Sequence, residues 1–130
     1  MKKKLNCILL VDDNDADNEF HSIIIQKVGI TDNIQIAEDG EEALEFLKKE
    51  NQVMPELIFL DINMPRMNGW EFLEEYKQLN IKEKQIIIVM LTTSVNPADM
   101  ERANKIAEVT GFKVKPLNAA MLTEILELYF

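Results

Sequence analysis

The run Leu57-Ile58-Phe59-Leu60-Asp61-Ile62-Asn63-Met64-Pro65 decides the fold. Four apolar residues stop at an aspartate, and a proline soon closes the way to further regular structure. A continuous apolar run suits a strand covered on both faces, whereas a half-exposed strand would alternate. The same construction stands upstream in Ile8-Leu9-Leu10-Val11-Asp12-Asp13 and downstream in residues 85–91, which lead into Thr92-Thr93-Ser94. Ile34–Ala37 and Phe112-Lys113-Val114 complete five strand candidates, the last leading into Lys115-Pro116.

Between these runs the apolar residues recur at helical spacing. Phe20, Ile23, Ile24 and Val28 mark a first helix, and Ala43, Leu44 and Leu47 a second. Phe72, Leu73 and Tyr76 mark a third, Met100, Ala103 and Ala107 a fourth. Met121, Leu122, Ile125, Leu126 and Tyr129 mark the last. Such stripes are read as core rather than as a cofactor box. The starts are signalled by side chains that accept from orphan helix N–H groups: Asp39 with Glu42 in capping-box spacing, Asn68, Asn118, and Asn96 before Pro97.

Strand and helix alternating five times imply right-handed βαβ units and a parallel sheet with helices on both faces. The expected fold is α/β: a flavodoxin-like, doubly wound, five-stranded (βα)5 sheet of order 2-1-3-4-5. Residues 1–130 form one domain in this reading, with no output domain.

The bulk properties narrow the function. A net charge of -9 argues against direct binding to nucleic acid or to an anionic membrane. No apolar stretch approaches the roughly 18 residues of a membrane span. The basic start Met1-Lys2-Lys3-Lys4 meets Asp12-Asp13 too soon for a signal peptide, so a cytoplasmic location is expected. Cys7, the single cysteine, sits in an apolar run as a buried small residue. His21, the lone histidine, is placed in the first helix away from the polar strand ends, as a surface or boundary residue.

In sheets of this kind, function gathers beyond the carboxyl ends of the strands. Those ends here carry Asp12 and Asp13, Asp61, Thr92 and Lys115. Singly, each has a plain structural reading: an aspartate as cap or turn former, a strand-end threonine, a solvated lysine. Together at the ends of the proper strands they are hard to explain as caps. Three carboxylates in one pocket repel each other unless a cation compensates. A hard divalent ion such as Mg²⁺ suits oxygen ligands, and Lys115 adds a further positive charge. Carboxylate nucleophile, metal, ammonium and hydroxyl are the parts that phosphoryl transfer needs.

From Asn6 to Tyr129 the chain resembles the receiver domain of two-component response regulators, of the single-domain chemotaxis type. The motifs are Ile8 to Asp13, Leu60 to Gly69, Met90-Leu91-Thr92-Thr93-Ser94 and Phe112-Lys113-Val114-Lys115-Pro116. The resemblance implies Asp61 as phosphoacceptor. Asp13 is then the direct metal ligand, Asp12 its helper, and Asn63 the donor of a backbone carbonyl to the Mg²⁺. Lys115 is expected to pair with Asp61 and then with the phosphoryl group, through a cis Lys115–Pro116 bond. Thr92 resembles the switch hydroxyl, with Thr93 beside it in an alternative register. Phe112 stands where many members have a switch tyrosine, and it lacks the hydroxyl.

The implied function is to accept a phosphoryl group from a sensor histidine kinase or phosphotransfer protein, and to signal to a protein target by a conformational switch. The only catalysis expected is self-catalysed phosphotransfer and autodephosphorylation, in a monomer or a weak phosphorylation-dependent dimer. The rival reading is a phosphorylation-independent adaptor on the same fold. A phosphatase reading fails on Asn63, which stands where a second carboxylate would be needed. A nucleotide-binding reading fails on the absence of a Gly-rich loop.

Overall fold

A computed structural model describes residues 4–50, 52–79 and 85–130, so residues 1–3 of the basic start lie outside it. In chain order the elements are β1 (Ile8–Val11), α1 (Asp15–Val28), β2 (Ile34–Ala37), α2 (Gly40–Lys48) and β3 (Leu57–Leu60). There follow α3 (Gly69–Tyr76), β4 (Ile87–Thr92), α4 (Pro97–Asn104), β5 (Val109–Val114) and α5 (Ala119–Tyr129). The strands form one parallel sheet in the order β2-β1-β3-β4-β5, as expected.

The central strands are apolar throughout because both of their faces are covered. Leu9, Val11, Ile58, Leu60, Ile88 and Met90 enter one core, packed with Ala43, Leu44, Phe72 and Leu73 of α2 and α3. Their neighbours Ile8, Leu10, Leu57, Phe59, Val89 and Leu91 enter a second core with Ile25 of α1 and Leu122 and Ile125 of α5. Successive side chains point to opposite faces, so each strand feeds both cores by turns.

Two strands differ from the sequence reading. β4 begins at Ile87 and runs through Thr92, and β5 begins at Val109, three residues before Phe112. The extra pairing of β5 carries a register shift between Ile88 and Val89. Polar or small residues such as Thr110 and Gly111 carry no apolar signal, yet an edge strand needs only backbone pairing to include them.

Two helical stripes also differ. In α1 the buried residues are Asn18, His21 and Ile25, while Phe20 and Ile23 are 45% and 43% exposed. Ile24 and Val28 of the expected stripe pack, partly buried, against the second core, so the buried face overlaps the stripe and is shifted toward the polar groups at the site. In α4 only Ala103 is buried; Met100 is exposed, and Ala107 lies beyond the helix end at Asn104.

Four N-caps, Asp39, Asn68, Asn96 and Asn118, fall where the sequence places them, and Asn14 caps α1 in addition. Asn14, Asp39, Asn68, Asn96 and Asn118 each accept a backbone N–H of the first turn that follows. The reciprocal capping box is at Asn68 and Glu71; at α2, Glu42 reaches past Asp39 to the Glu38 N–H.

Candidate phosphorylation site

β1 and β3 are paired in register from Ile8↔Leu57 to Val11↔Leu60, so Asp12 and Asp61 emerge side by side. The Asp61 N–H donates to the Val11 carbonyl (3.0 Å), which carries the pairing one residue further. Counting in twos from Leu10 and from Phe59 puts both aspartates on the face covered by α1. Asp12 is 5% exposed and Asp61 9%, while Asp13 is exposed.

The backbone around the pair is tightly tied. Asp12 Oδ1 accepts from the Asn14 N–H (2.9 Å), and its carbonyl accepts from Asn18 Nδ2 (2.9 Å). Asp61 Oδ1 accepts from the Ile62 N–H (2.8 Å). The Gly69 N–H donates to the Ile62 carbonyl (2.8 Å), folding the β3–α3 loop back on itself. A Cβ at Gly69 would stand 2.3 Å from the Asp61 carbonyl oxygen, so this close approach requires glycine.

The same loop is fastened to α2. Arg66 adopts a left-handed φ of 60° and its guanidinium pairs with the wholly buried Asp39, with Glu41 and Glu42 also within ion-pair distance. The Gly40 N–H donates to the Met67 carbonyl (2.9 Å). Asn63 lies on this loop, exposed, two residues beyond Asp61.

Lys115 arrives from the end of β5. Its N–H donates to the Thr92 carbonyl (2.8 Å), and the Lys115–Pro116 bond is cis, as expected. The side chain is only 8% exposed, and its Nζ lies 2.6 Å from Asp12 Oδ2, 2.8 Å from Asp17 Oδ2 and 3.1 Å from Asp61 Oδ2. Burial opposes its charge, but hydrogen bonds to Asp12 and Asp17 and the field of Asp61 outweigh it, so the ammonium is held above its ordinary range. Burial pushes the Asp12 carboxyl up, and the Lys115 and Asn14 hydrogen bonds oppose that rise.

Thr92 closes β4 wholly buried, its Oγ1 accepting from the Ser94 N–H (3.2 Å), whereas Thr93 is exposed. Phe112 is half-buried, paired in register with Met90 and packed against the α2–α3 core.

Two residues belong to the site that the sequence reading left out or misplaced. Asp17, in the first turn of α1, is the third carboxylate on Lys115. His21 is buried (2% exposed), and with Asn18 it lines a small cavity bounded also by Asp12 and Asp61. It is therefore neither a surface residue nor remote from the pocket. Its Nε2 lies 3.4 Å from the Leu117 N–H, which donates to it. Burial lowers the affinity of His21 for a proton, and the Lys115 charge lowers it further. Helical spacing was the missed signal: residues 17, 18, 21 and 25 share the face of α1 that covers the two aspartates.

Asp12, Asp13 and Asp61 can each offer one carboxylate oxygen, and these oxygens lie within 4.8 Å of one another. All are hard donors, and among the described residues the carboxylates here, with Asp17 nearby, outnumber the one ammonium. A divalent cation fits both the donor chemistry and the charge.

Residues 8–127 match the family described as the response regulator receiver domain. The chain belongs to that family. This receiver is 40% identical over 97 residues to the response regulator Rcp1 of Synechocystis, covering 72% of this chain and 65% of Rcp1, just under two-thirds. It is 31% identical over 123 residues to the probable methanogenesis regulatory protein FilR2 of Methanothrix harundinacea, covering 92% of this chain and 78% of FilR2. Among solved structures, a two-component response regulator from Cytophaga hutchinsonii superposes with a TM-score of 0.88 at 31% identity, covering 96% of both chains. Receivers are phosphoacceptors of two-component signalling that switch conformation and act with histidine kinases and downstream effectors; their acidic pocket takes a divalent cation. Among the described residues of this receiver, no helix is long and apolar enough to cross a membrane.

Proposed function

We propose that this receiver takes its phosphoryl group on Asp61, with Mg²⁺ held by Asp12, Asp13, Asp61 and the Asn63 backbone carbonyl. The observation that carries the reading is the meeting of Lys115 Nζ with Asp61 Oδ2 beside the three-carboxylate cluster. Nucleophile, cation site and ammonium then occupy one pocket, as phosphoryl transfer requires.

The donor is the phosphohistidine of a sensor kinase or phosphotransfer protein. A carboxylate oxygen of Asp61 attacks phosphorus; the O–P bond forms as the P–N bond breaks, and the imidazole nitrogen leaves with the electron pair. Mg²⁺, when bound, neutralises charge on the equatorial phosphoryl oxygens. Asp61 is fixed for attack by the Ile62 N–H on Oδ1, which leaves Oδ2 facing Lys115. Lys115 offers its N–H groups to the incoming phosphoryl oxygens without having to move between strands.

The phosphoryl group of the acyl phosphate carries a charge of about -1.5 to -2, by comparison with phosphorylated hydroxyls, and it replaces the single negative charge of the carboxylate and stands further out from the strand end. Thr92, at the end of the neighbouring strand, turns its hydroxyl toward that charge and releases the Ser94 N–H. The segment from Ser94 into α4 follows, and the altered surface of α4, β5 and α5 is read by a protein target. Phe112 responds by packing rather than through a hydroxyl.

Incubation with a small acyl-phosphate donor, with and without Mg²⁺, tests the reading. Intact mass should show one phosphoryl group only when Mg²⁺ is present, and none in Asp61→Asn. Unchanged modification of Asp61→Asn would remove the site assignment.

A further inference from the structure

We propose that Asp17 is a positioning residue for Lys115: the partner to which the ammonium withdraws when a divalent cation takes Asp12 and Asp61. The proposal rests on the metal reading above and adds a residue outside the metal cluster to it.

Lys115 has three N–H donors and meets three carboxylates, at 2.6 Å (Asp12), 2.8 Å (Asp17) and 3.1 Å (Asp61). Two of these belong to the cluster that can hold a cation; Asp17 does not. An ammonium hydrogen-bonded to Asp12 Oδ2 and Asp61 Oδ2 competes with the cation for the same oxygens and the same space. Cation binding therefore has to loosen Lys115 from two of its partners. With its side chain only 8% exposed, Lys115 cannot regain water for the bonds it gives up.

Asp17 supplies what water cannot. Its N–H is held by the N-cap side chain of Asn14 (2.9 Å), so the α1 turn that presents its carboxylate is fixed. The carboxylate is about one-third exposed and reaches inward to Lys115 from the helix covering the aspartates. Lys115 is shared among three carboxylates before the cation arrives and kept by Asp17 afterwards. The ammonium thus stays beside Asp61, ready for a phosphoryl oxygen, without opposing the metal.

A plain field effect of one more negative charge would also favour a cation, so the test must separate the two. Mg²⁺ affinity is measured by calorimetry on the whole chain in four forms: the parent, Asp17→Asn, Lys115→Ala and the double variant. Asparagine keeps a hydrogen-bond acceptor at the same helical position and removes the charge. Asp17→Asn is expected to raise the Kd for Mg²⁺ about five-fold, the upper range for a partly exposed ion pair. In the Lys115→Ala background the same substitution should change the Kd less than about two-fold, because the competitor has gone. In nitrogen-detected NMR, the Lys115 ammonium resonance should persist on Mg²⁺ addition in the parent and broaden in Asp17→Asn. Equal losses in both backgrounds would overturn the proposal in favour of the field effect. An unchanged Kd in Asp17→Asn, while the parent binds Mg²⁺, would overturn it outright. A parent that binds no Mg²⁺ would instead defeat the metal reading, and this proposal with it.

Discussion

Lys115 Nζ stands 3.1 Å from Asp61 Oδ2, although the two residues follow strands that do not pair. Residue Lys115 follows β5 and Asp61 follows β3, with β4 between them. The long lysine stem spans that gap, and the two further carboxylates hold its end in place. An ammonium so placed lies against Asp61 without being a ligand that a cation could use.

Removal of that ammonium should therefore separate two properties. In Lys115→Ala, phosphorylation by an acyl-phosphate donor is expected to slow by about 10²-fold, the usual loss for one preorganised charge-stabilising donor. The Kd for Mg²⁺ should not rise, because Asp12 and Asp61 lose a competitor and not a ligand. Parallel stopped-flow and calorimetric measurements on one preparation make the comparison. A Kd that rises in step with the loss of rate would place Lys115 in the metal's support instead.

Thr92 tests the switch. Its hydroxyl is wholly buried and engages the Ser94 N–H, so Thr92→Ala should cost about 1 kcal/mol of stability while leaving Asp61 reachable. Phosphorylation should proceed near the parent rate, but amide shifts in α4 and β5 should no longer follow it. Undiminished phosphorylation-dependent shifts in the variant would move the switch to Thr93 or away from a hydroxyl altogether.

Parity makes part of this site legible in the sequence and hides the rest. Continuous apolar runs reveal strands covered on both faces, and the first polar residue after each run marks the strand ends where Asp12, Asp61 and Thr92 stand. Asp17 and His21 are different. Helix α1 leaves Phe20 and Ile23 exposed and packs Ile24 and Val28 only partly buried against the core, so its apolar stripe marks the buried face imperfectly. Its orientation is also set by ties to the site: Asn18 to the Asp12 carbonyl, Asp17 to Lys115 and the Leu117 N–H to His21. The ties of Asp17 and His21 join residues far apart in the chain, so apolar periodicity carries no trace of them; only the helical spacing of residues 17, 18, 21 and 25 does.

Gly69 shows how closely the loop depends on the site. A methyl group there would meet the Asp61 carbonyl at 2.3 Å and Ile62 Cα at 3.1 Å, and backbone cannot step aside as a flexible side chain can. Gly69→Ala should lower stability by about 2–3 kcal/mol, at the upper end for overpacking, and should slow phosphorylation by displacing Asp61. Urea denaturation and the acyl-phosphate assay read the two effects. Parent-like behaviour in both would mean that the β3–α3 loop moves freely, contrary to its bonds to Ile62 and Gly40.

His21 should impose a pH dependence on stability. Burial and the nearby Lys115 charge hold its pKa in the folded protein below the ordinary value of 6.5, with Asp17 and Asp61 offsetting only part of this. As pH falls below about 6.5, the unfolded chain takes up a proton that the folded chain refuses, so unfolding gains and stability drops. Above that pH the histidine is neutral in both states and its contribution is complete. The slope from this one group cannot exceed about 1.4 kcal/mol per pH unit. His21→Gln keeps an acceptor for the Leu117 N–H and does not titrate. Urea midpoints at about pH 7.5 and about pH 5.5 should therefore differ more for the parent than for the variant. Asp12 and the other carboxylates are present in both proteins, so their effects cancel in the comparison. The same pH dependence in the two proteins would show that the imidazole accepts its proton in the folded state, and that the cavity beside Asp61 admits the charge.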